Sequence, residues 1–265
     1  ESDGSFQPYL AESWELSEDG KVYTFHLRQN VSFQDGTPFD AEAVKFNLER
    51  VVNPEVNSGE ARYLVDMDNV EVVDDHTVRV NLKQPSGPFL SALCNKAGSM
   101  VSPSAVRERG DDFARNPSGT GPFVIDKWSG DTIEASRFEG YWGPPAYLDK
   151  VTVRAISNTA IKIIELKSGN IQLANLIQPK DMPEIEADKN LTLIEDPRVV
   201  VSYVAFNNKS GPFADNQLLR QAISHSINRE ALNQAISRGK GGPMAGYAPP
   251  QDKLAYGPDL AGHAY

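Results

Sequence analysis

PYLAESWELSEDGKVYTFHLRQNVSFQDGTPFDAEAVKFNLER, residues 8–50, decides the fold. Its first half predicts a β-hairpin: residues 14–16 and 22–27 flank Ser17-Glu18-Asp19-Gly20, a cluster of turn formers. In the second limb Tyr23, Phe25 and Leu27 share one face. Asp35-Gly36-Thr37-Pro38 interrupts the extended run, and Asp40 stands where a helix N-cap is expected. Beyond it Val44, Leu48, Val51 and Val52 recur at helical spacing.

Those elements alone imply no function, but the particular residues do. LAESWELSEDGKVYTFHLR followed by VSFQDGTPFDAEAVKFNLER resembles the signature of the extracytoplasmic solute-binding proteins of ABC importers, specifically the dipeptide, oligopeptide and nickel-binding family (solute-binding protein family 5). Trp14, Asp19-Gly20, Phe25, Leu27-Arg28, Phe33, Asp35-Gly36, Ala41 and Val44 carry it, in one order over a long span. The resemblance implies an α/β fold. Its parts are a periplasmic-binding-protein-like first lobe, a mixed sheet with helices, and a hairpin-rich α+β subdomain.

Length and composition fit that reading. The 265 residues hold 26 Lys plus Arg against 36 Asp plus Glu, a formal charge of −10, which argues against nucleic acid or an anionic membrane as partner. At 40% hydrophobic and 9% aromatic the chain is globular, and its length permits one or two domains. No apolar run approaches the roughly 20 residues that span a bilayer, and the first residues lack a basic and then apolar leader, so the start reads as mature or truncated. Cys94 is the single cysteine, which supports neither a disulfide scaffold nor a structural zinc site. A periplasmic or extracytoplasmic location, with or without a membrane anchor, is implied by the resemblance alone.

A second hairpin is expected from residues 70–73 and 77–82 around Asp74-Asp75-His76, with Val78, Val80 and Leu82 alternating against Thr77, Arg79 and Asn81. Pro85-Ser86-Gly87-Pro88 then leads into a short helix with Phe89, Leu90 and Leu93 on its apolar face. After it come Asn95, Lys96, Ala97, Gly98 and Ser99, which the resemblance implies face the ligand cleft. Small residues and Gly98 would let a ligand approach backbone N–H and C=O groups. An ordinary helix-to-strand connection accounts for the same residues equally well. GTGPF (residues 119–123) is a second hallmark of the family; lacking a Walker lysine and the G-x-G-x-x-G spacing, it does not read as a nucleotide site. A third hairpin is expected around Ser129-Gly130-Asp131. Tyr141 and Trp142 after it could stack on a ligand or anchor a joint.

From Tyr147 the pattern changes to strand (residues 148–155), helix (159–166, ended by Ser168-Gly169) and strand (171–176), a β-α-β alternation. Asn170 and Gln172 stand where the family commonly has acidic residues. Residues 191–195 and 199–206 are further strand candidates. AFNNKSGPFADNQLLRQAISHSINREALNQAI resembles a third family signature, with Asn228 capping the second of two helices. Residues 1–142 thus read as the hairpin-rich subdomain, 143–240 as the sheet portion of the first lobe, and 241–265 as a crossover toward a second lobe largely absent from this chain.

Little in the sequence suggests catalysis or a metal. The four histidines lack i, i+4 spacing, so no metal or cofactor is expected. Ser224-His225-Ser226 has no nucleophile elbow and points its neighbours apart on a helix. Paired carboxylates such as Asp74-Asp75 and Asp111-Asp112 fall in turns or polar faces. The resemblance implies a non-enzymatic, monomeric protein that captures a small-molecule or peptide ligand and presents it to an ABC permease. Nickel chelate, glutathione and oligosaccharide are alternative ligands, and a carbohydrate-binding module or hydrolase is the alternative of another class.

Overall fold

The computed structural model of the protein describes residues 5–195 and 202–242. The chain divides into two compact units, Glu1–Ala155 and Ile156–Tyr265.

In the first unit β1 (Ala11–Leu16) and β2 (Val22–Leu27) form the expected hairpin, with Trp14 opposite Phe25 and Leu16 opposite Tyr23. Gly20 takes φ 70°, a left-handed conformation that glycine reaches without a Cβ clash. The Val22 N–H donates to Ser17 Oγ, closing the turn. The second hairpin, β3 (Met67–Asp74) with β4 (Thr77–Leu82), inserts β4 beside β2, giving the antiparallel order β1-β2-β4-β3. Phe25 thereby stands opposite Val78, and Tyr23 opposite Val80. The period of two puts Tyr23, Phe25, Leu27, Val78, Val80 and Leu82 on one buried face.

Helix α1 (Ala41–Val52) covers that face, packing on β3 and β4. The Ala43 N–H donates to Asp40 Oδ1 at 2.8 Å, the expected cap. Ala41, Val44 and Leu48 are buried, and Val51 and Val52 are half-buried against the same core, which also takes in Phe33, Phe39, Leu64 and Phe89. Helices α2 (Phe89–Leu93) and α3 (Pro103–Arg109) follow.

A second antiparallel sheet has the order β5 (Phe123–Ser129), β6 (Thr132–Arg137), β7 (Lys150–Arg154). Residues 32–37 join it to the first. The Gln34 side-chain amide donates to the carbonyls of Gly121 (3.1 Å) and Phe123 (2.8 Å), and its Oε1 accepts from the Gly119 N–H (3.1 Å). The Asp35 N–H donates to the Ser118 hydroxyl. The GTGPF glycines are thus held by a polar strap, with Ser118 and Thr120 buried beneath it.

The second unit is helical among the described residues: α4 (Thr159–Lys167), α5 (Met182–Glu186), α6 (Gln217–Ser226) and α7 (Arg229–Ser237). Asn158, Asn216 and Asn228 cap α4, α6 and α7. Ile163 and Ile185 are its buried side chains, and a 2.6 Å ion pair joins Lys167 to Glu184.

The β-α-β expectation is corrected here. Only its first strand forms, as β7, and it pairs antiparallel with β6. Residues 171–176 form no strand: the N–H groups of Asn170 and Ile171 fold back onto the Glu165 carbonyl, and Leu176, at φ 54°, ends any extended run. Residues 191–195 and 202–206 have strand composition but join no ladder among the described residues; Ile194, Tyr203 and Val204 are exposed. A strand lacking a neighbour leaves its N–H and C=O groups without ladder partners. The first three residues of the 199–206 candidate, and residues 243–265 of the expected crossover, lie outside the described residues.

Candidate functional site

Residues 95–99 follow directly from the end of α2. The Asn95 N–H donates to the Ala92 carbonyl, and its side-chain amide to the Ser91 carbonyl (3.0 Å), so the chain leaves the helix in a fixed direction. Lys96–Gly98 make one 3₁₀ turn, with the Gly98 N–H donating to the Asn95 carbonyl and the Ser99 N–H to the Lys96 carbonyl. This turn packs against α1 and against the 3₁₀ segment Gly59–Tyr63.

The five residues divide by environment. Asn95, Lys96 and Ser99 are exposed and offer an amide, an ammonium and a hydroxyl. Ala97 is 1% exposed and belongs to the hydrophobic core, leaving only its backbone for a ligand. Gly98 differs from expectation in its reason. A Cβ there would lie 2.0 Å from the Leu93 carbonyl oxygen, so glycine is required by close approach of the chain to α2. Chemically, the exposed set pairs a cation for a carboxylate with neutral donors and acceptors for amide groups.

Downstream, Val101 bridges antiparallel to Gly119 on one side. On the other, Asn47 of α1, 3% exposed, donates from Nδ2 to the Val101 carbonyl (2.8 Å) and accepts the Val101 N–H at Oδ1 (3.1 Å). The Ser102 N–H donates to the Ser118 carbonyl, and the Ser102 hydroxyl lies 3.2 Å from that of Thr37. Asp35 sits beside them. Burial pushes its carboxyl up, but hydrogen bonds from Ser102 and Thr37, with the Arg109 charge, outweigh this and hold it below the ordinary carboxylate value.

Tyr141 and Trp142 occupy a different place. Trp142 Nε1 donates to the Thr120 carbonyl at 3.1 Å, its ring meets Tyr9 edge-on at 4.8 Å, and the Arg28 guanidinium lies 4.7 Å above it. The hydroxyls of Tyr9 and Tyr141 are 3.3 Å apart, a contact that with desolvation pushes Tyr141 up to about 12. In this unit the pair ties the segment before β1 to the loop after β6. His225 is exposed in the last turn of α6, and the neighbouring Ser224 hydroxyl accepts from Arg229.

A shallow concavity on the outer face of the first sheet is lined by Glu15, Thr24, Glu71, Arg79 and Asn81. Its one cation, Arg79, is already paired with Glu71 at 3.7 Å, and it does not include the 95–99 loop. Asn47, Gln34, Ser102 and Ser118 were not singled out in the sequence. The available signal was an asparagine at position i+3 of the Val44, Leu48, Val51 stripe.

The profile described as bacterial extracellular solute-binding proteins, family 5 middle, matches residues 5–263. Among curated proteins, the glutathione-binding protein GsiB of Salmonella paratyphi A is 37% identical over 250 residues, 93% of this chain and 48% of that protein. GsiB of Escherichia coli O1:K1 is 35% identical over 249 residues, with the same shares. The chain spans about half the length of the curated relatives it matches. Among solved structures, the periplasmic binding protein DppA of Helicobacter pylori, in complex with the peptide STSA, superposes at TM-score 0.85 and 30% identity, covering 98% of this chain and 55% of that one. NikZ of Campylobacter jejuni, in complex with Ni(L-His), gives 0.75 and 28%, covering 87% and 46%.

Proposed function

The chain belongs to family 5 of the bacterial extracellular solute-binding proteins, and from that premise we propose that it is part of the substrate-binding component of an ABC importer, taking a short peptide or peptide-like ligand. The observation that carries this reading is the joint likeness to GsiB and DppA, whose names and bound molecule specify glutathione and a tetrapeptide. Both are small peptides with a free amino group and carboxylates. The exposed Lys96 ammonium, with the Asn95 and Ser99 side chains and the Ala97-Gly98 backbone, suits that chemistry.

In this reading the ligand is enclosed between the lobe to which this chain belongs and a second lobe, and the closed form is presented to a membrane permease. Residues 1–142 are its hairpin-rich subdomain and 241–265 the crossover, while residues 143–240, expected as the sheet portion, give one strand, β7, to the second sheet and otherwise helices α4–α7 among the described residues. The protein binds and releases without chemical turnover, works as a monomer, and resides outside the cytoplasmic membrane. No helix among the described residues is long and apolar enough to cross a membrane. Nickel chelates are the second reading, favoured by the NikZ likeness at its lower TM-score.

Titration calorimetry with glutathione, the tetrapeptide STSA and Ni(L-His) tests the proposal. Saturable binding of either peptide, with the ligand recovered unchanged, is the expected result. Uptake of Ni(L-His) alone would move the assignment to metal chelates, and cleavage of a bound peptide would overturn it.

A further inference from the structure

We propose that Asn47 is the positioning residue for the downstream end of the 95–99 loop: its buried carboxamide grips Val101 and thereby fixes how Ser99 is presented. This deepens the proposed function, and rests on its reading that the loop touches ligand.

Asn47 stands on the core face of α1 beside Val44 and Leu48, where an apolar side chain would bury more surface without desolvating an amide. The amide is fully used. Oδ1 accepts the Val101 N–H at 3.1 Å, while Nδ2 donates to the Val101 carbonyl at 2.8 Å and to the Ala43 carbonyl at 2.8 Å. Taking both the N–H and the C=O of one residue is what a neighbouring β-strand does. An antiparallel bridge to Gly119, carried by the Ser102 N–H on the Ser118 carbonyl, flanks the other side of Val101.

The clamp lies two residues after Ser99. At the other end, Ala97 is sunk in the core and Gly98 abuts the Leu93 carbonyl. Between the Ala97 and Val101 anchors only residues 98–100 remain, and Met100 is half-buried against the core. Without the amide, the Val101 N–H and C=O lose the two hydrogen bonds that Asn47 gives them, and the loop's downstream end is released. A contribution to overall stability alone would instead weaken all of the core together.

Hydrogen exchange on the full chain, with no ligand added, separates these two roles. Asn47→Ala is expected to speed exchange across residues 98–102 by about tenfold relative to β2 and β4, as loss of roughly one or two buried hydrogen bonds requires. Asn47→Leu, which keeps the volume and removes the amide, should do the same and serves if the alanine variant does not fold. Val78→Ala, a core truncation, provides the profile of general destabilisation. Exchange that rises evenly, as in Val78→Ala, or does not rise at residues 98–102, would overturn the inference.

Glutathione titrated into Asn47→Ala and Ser99→Trp distinguishes the inference from the reading beneath it. Weaker binding in both supports the two together. Full affinity in Asn47→Ala with loss in Ser99→Trp overturns the inference and leaves the site standing, whereas full affinity in both overturns the site. Where the unaltered chain takes up no glutathione, the exchange result decides alone.

Discussion

Asp35 shows how a single residue can make the junction of the two sheets in the first unit sensitive to acid. Its carboxylate accepts from the Thr37 N–H at 3.1 Å and the Thr37 hydroxyl at 2.7 Å, and its own N–H donates to Ser118. The folded state therefore holds the carboxyl below its ordinary value of 3.8, even though burial alone would raise it. A depressed carboxylate contributes stability above its unfolded pKa and loses that contribution as pH falls through the folded one. Melting temperature measured from pH 7 down to pH 3 should therefore fall in the acid limb, and the fall should be shallower in Asp35→Asn. An identical acid limb in the variant would show that other carboxylates carry the effect. Asp19 and Asp74 are lowered too, but they are exposed and screened by solvent, and Asp66, half-buried, is lowered by hydrogen bonds from Ser86 and Gln84.

At the scale of elements, α1 is the piece on which the first unit depends, since it covers the four-stranded sheet and carries Asn47. Its start is held by the Ala41 N–H on the Asp75 carbonyl and capped by the bond from the Ala43 N–H to Asp40 Oδ1. Asp40→Ala should cost about 1 kcal/mol in urea unfolding, with an unchanged m-value because the surface exposed on unfolding is the same. A changed m-value would mean that the helix end frays in the native state. This helix and all three hairpins were legible in the sequence because period 3.6, period 2 and clusters of turn-forming residues are local signals. Which strands meet was not: β4 lies between β2 and β3, and β7 joins β6, through pairings fixed by side-chain fit across long separations. Residues 171–176 had the right composition for a strand, but a strand is made by its neighbour. The candidate loop was legible only through the family resemblance, and the roles of its parts were not. Ala97 proved a core residue, and Gly98 is required by the Leu93 carbonyl.

At the scale of the whole molecule, the question is how much of a ligand this half of the fold can hold. The exposed groups of the 95–99 loop offer one cation and a few neutral hydrogen-bonding partners, whereas a peptide-like ligand brings an amino group, carboxylates and several amides. A two-lobe binder gains affinity by enclosing the ligand from both sides, and by contacts made only after closure. If each contact from an opposing lobe contributes roughly 1 kcal/mol, the loss of three or four weakens binding by about a hundredfold or more. The 265 residues alone should therefore bind glutathione at least that much more weakly than the same sequence extended to the length of its relatives. Calorimetry on the two proteins under one buffer measures the ratio directly. Equal affinities would mean that the ligand is held wholly by these residues, and the search for its contacts would then move from the 95–99 loop to other surfaces of the first unit.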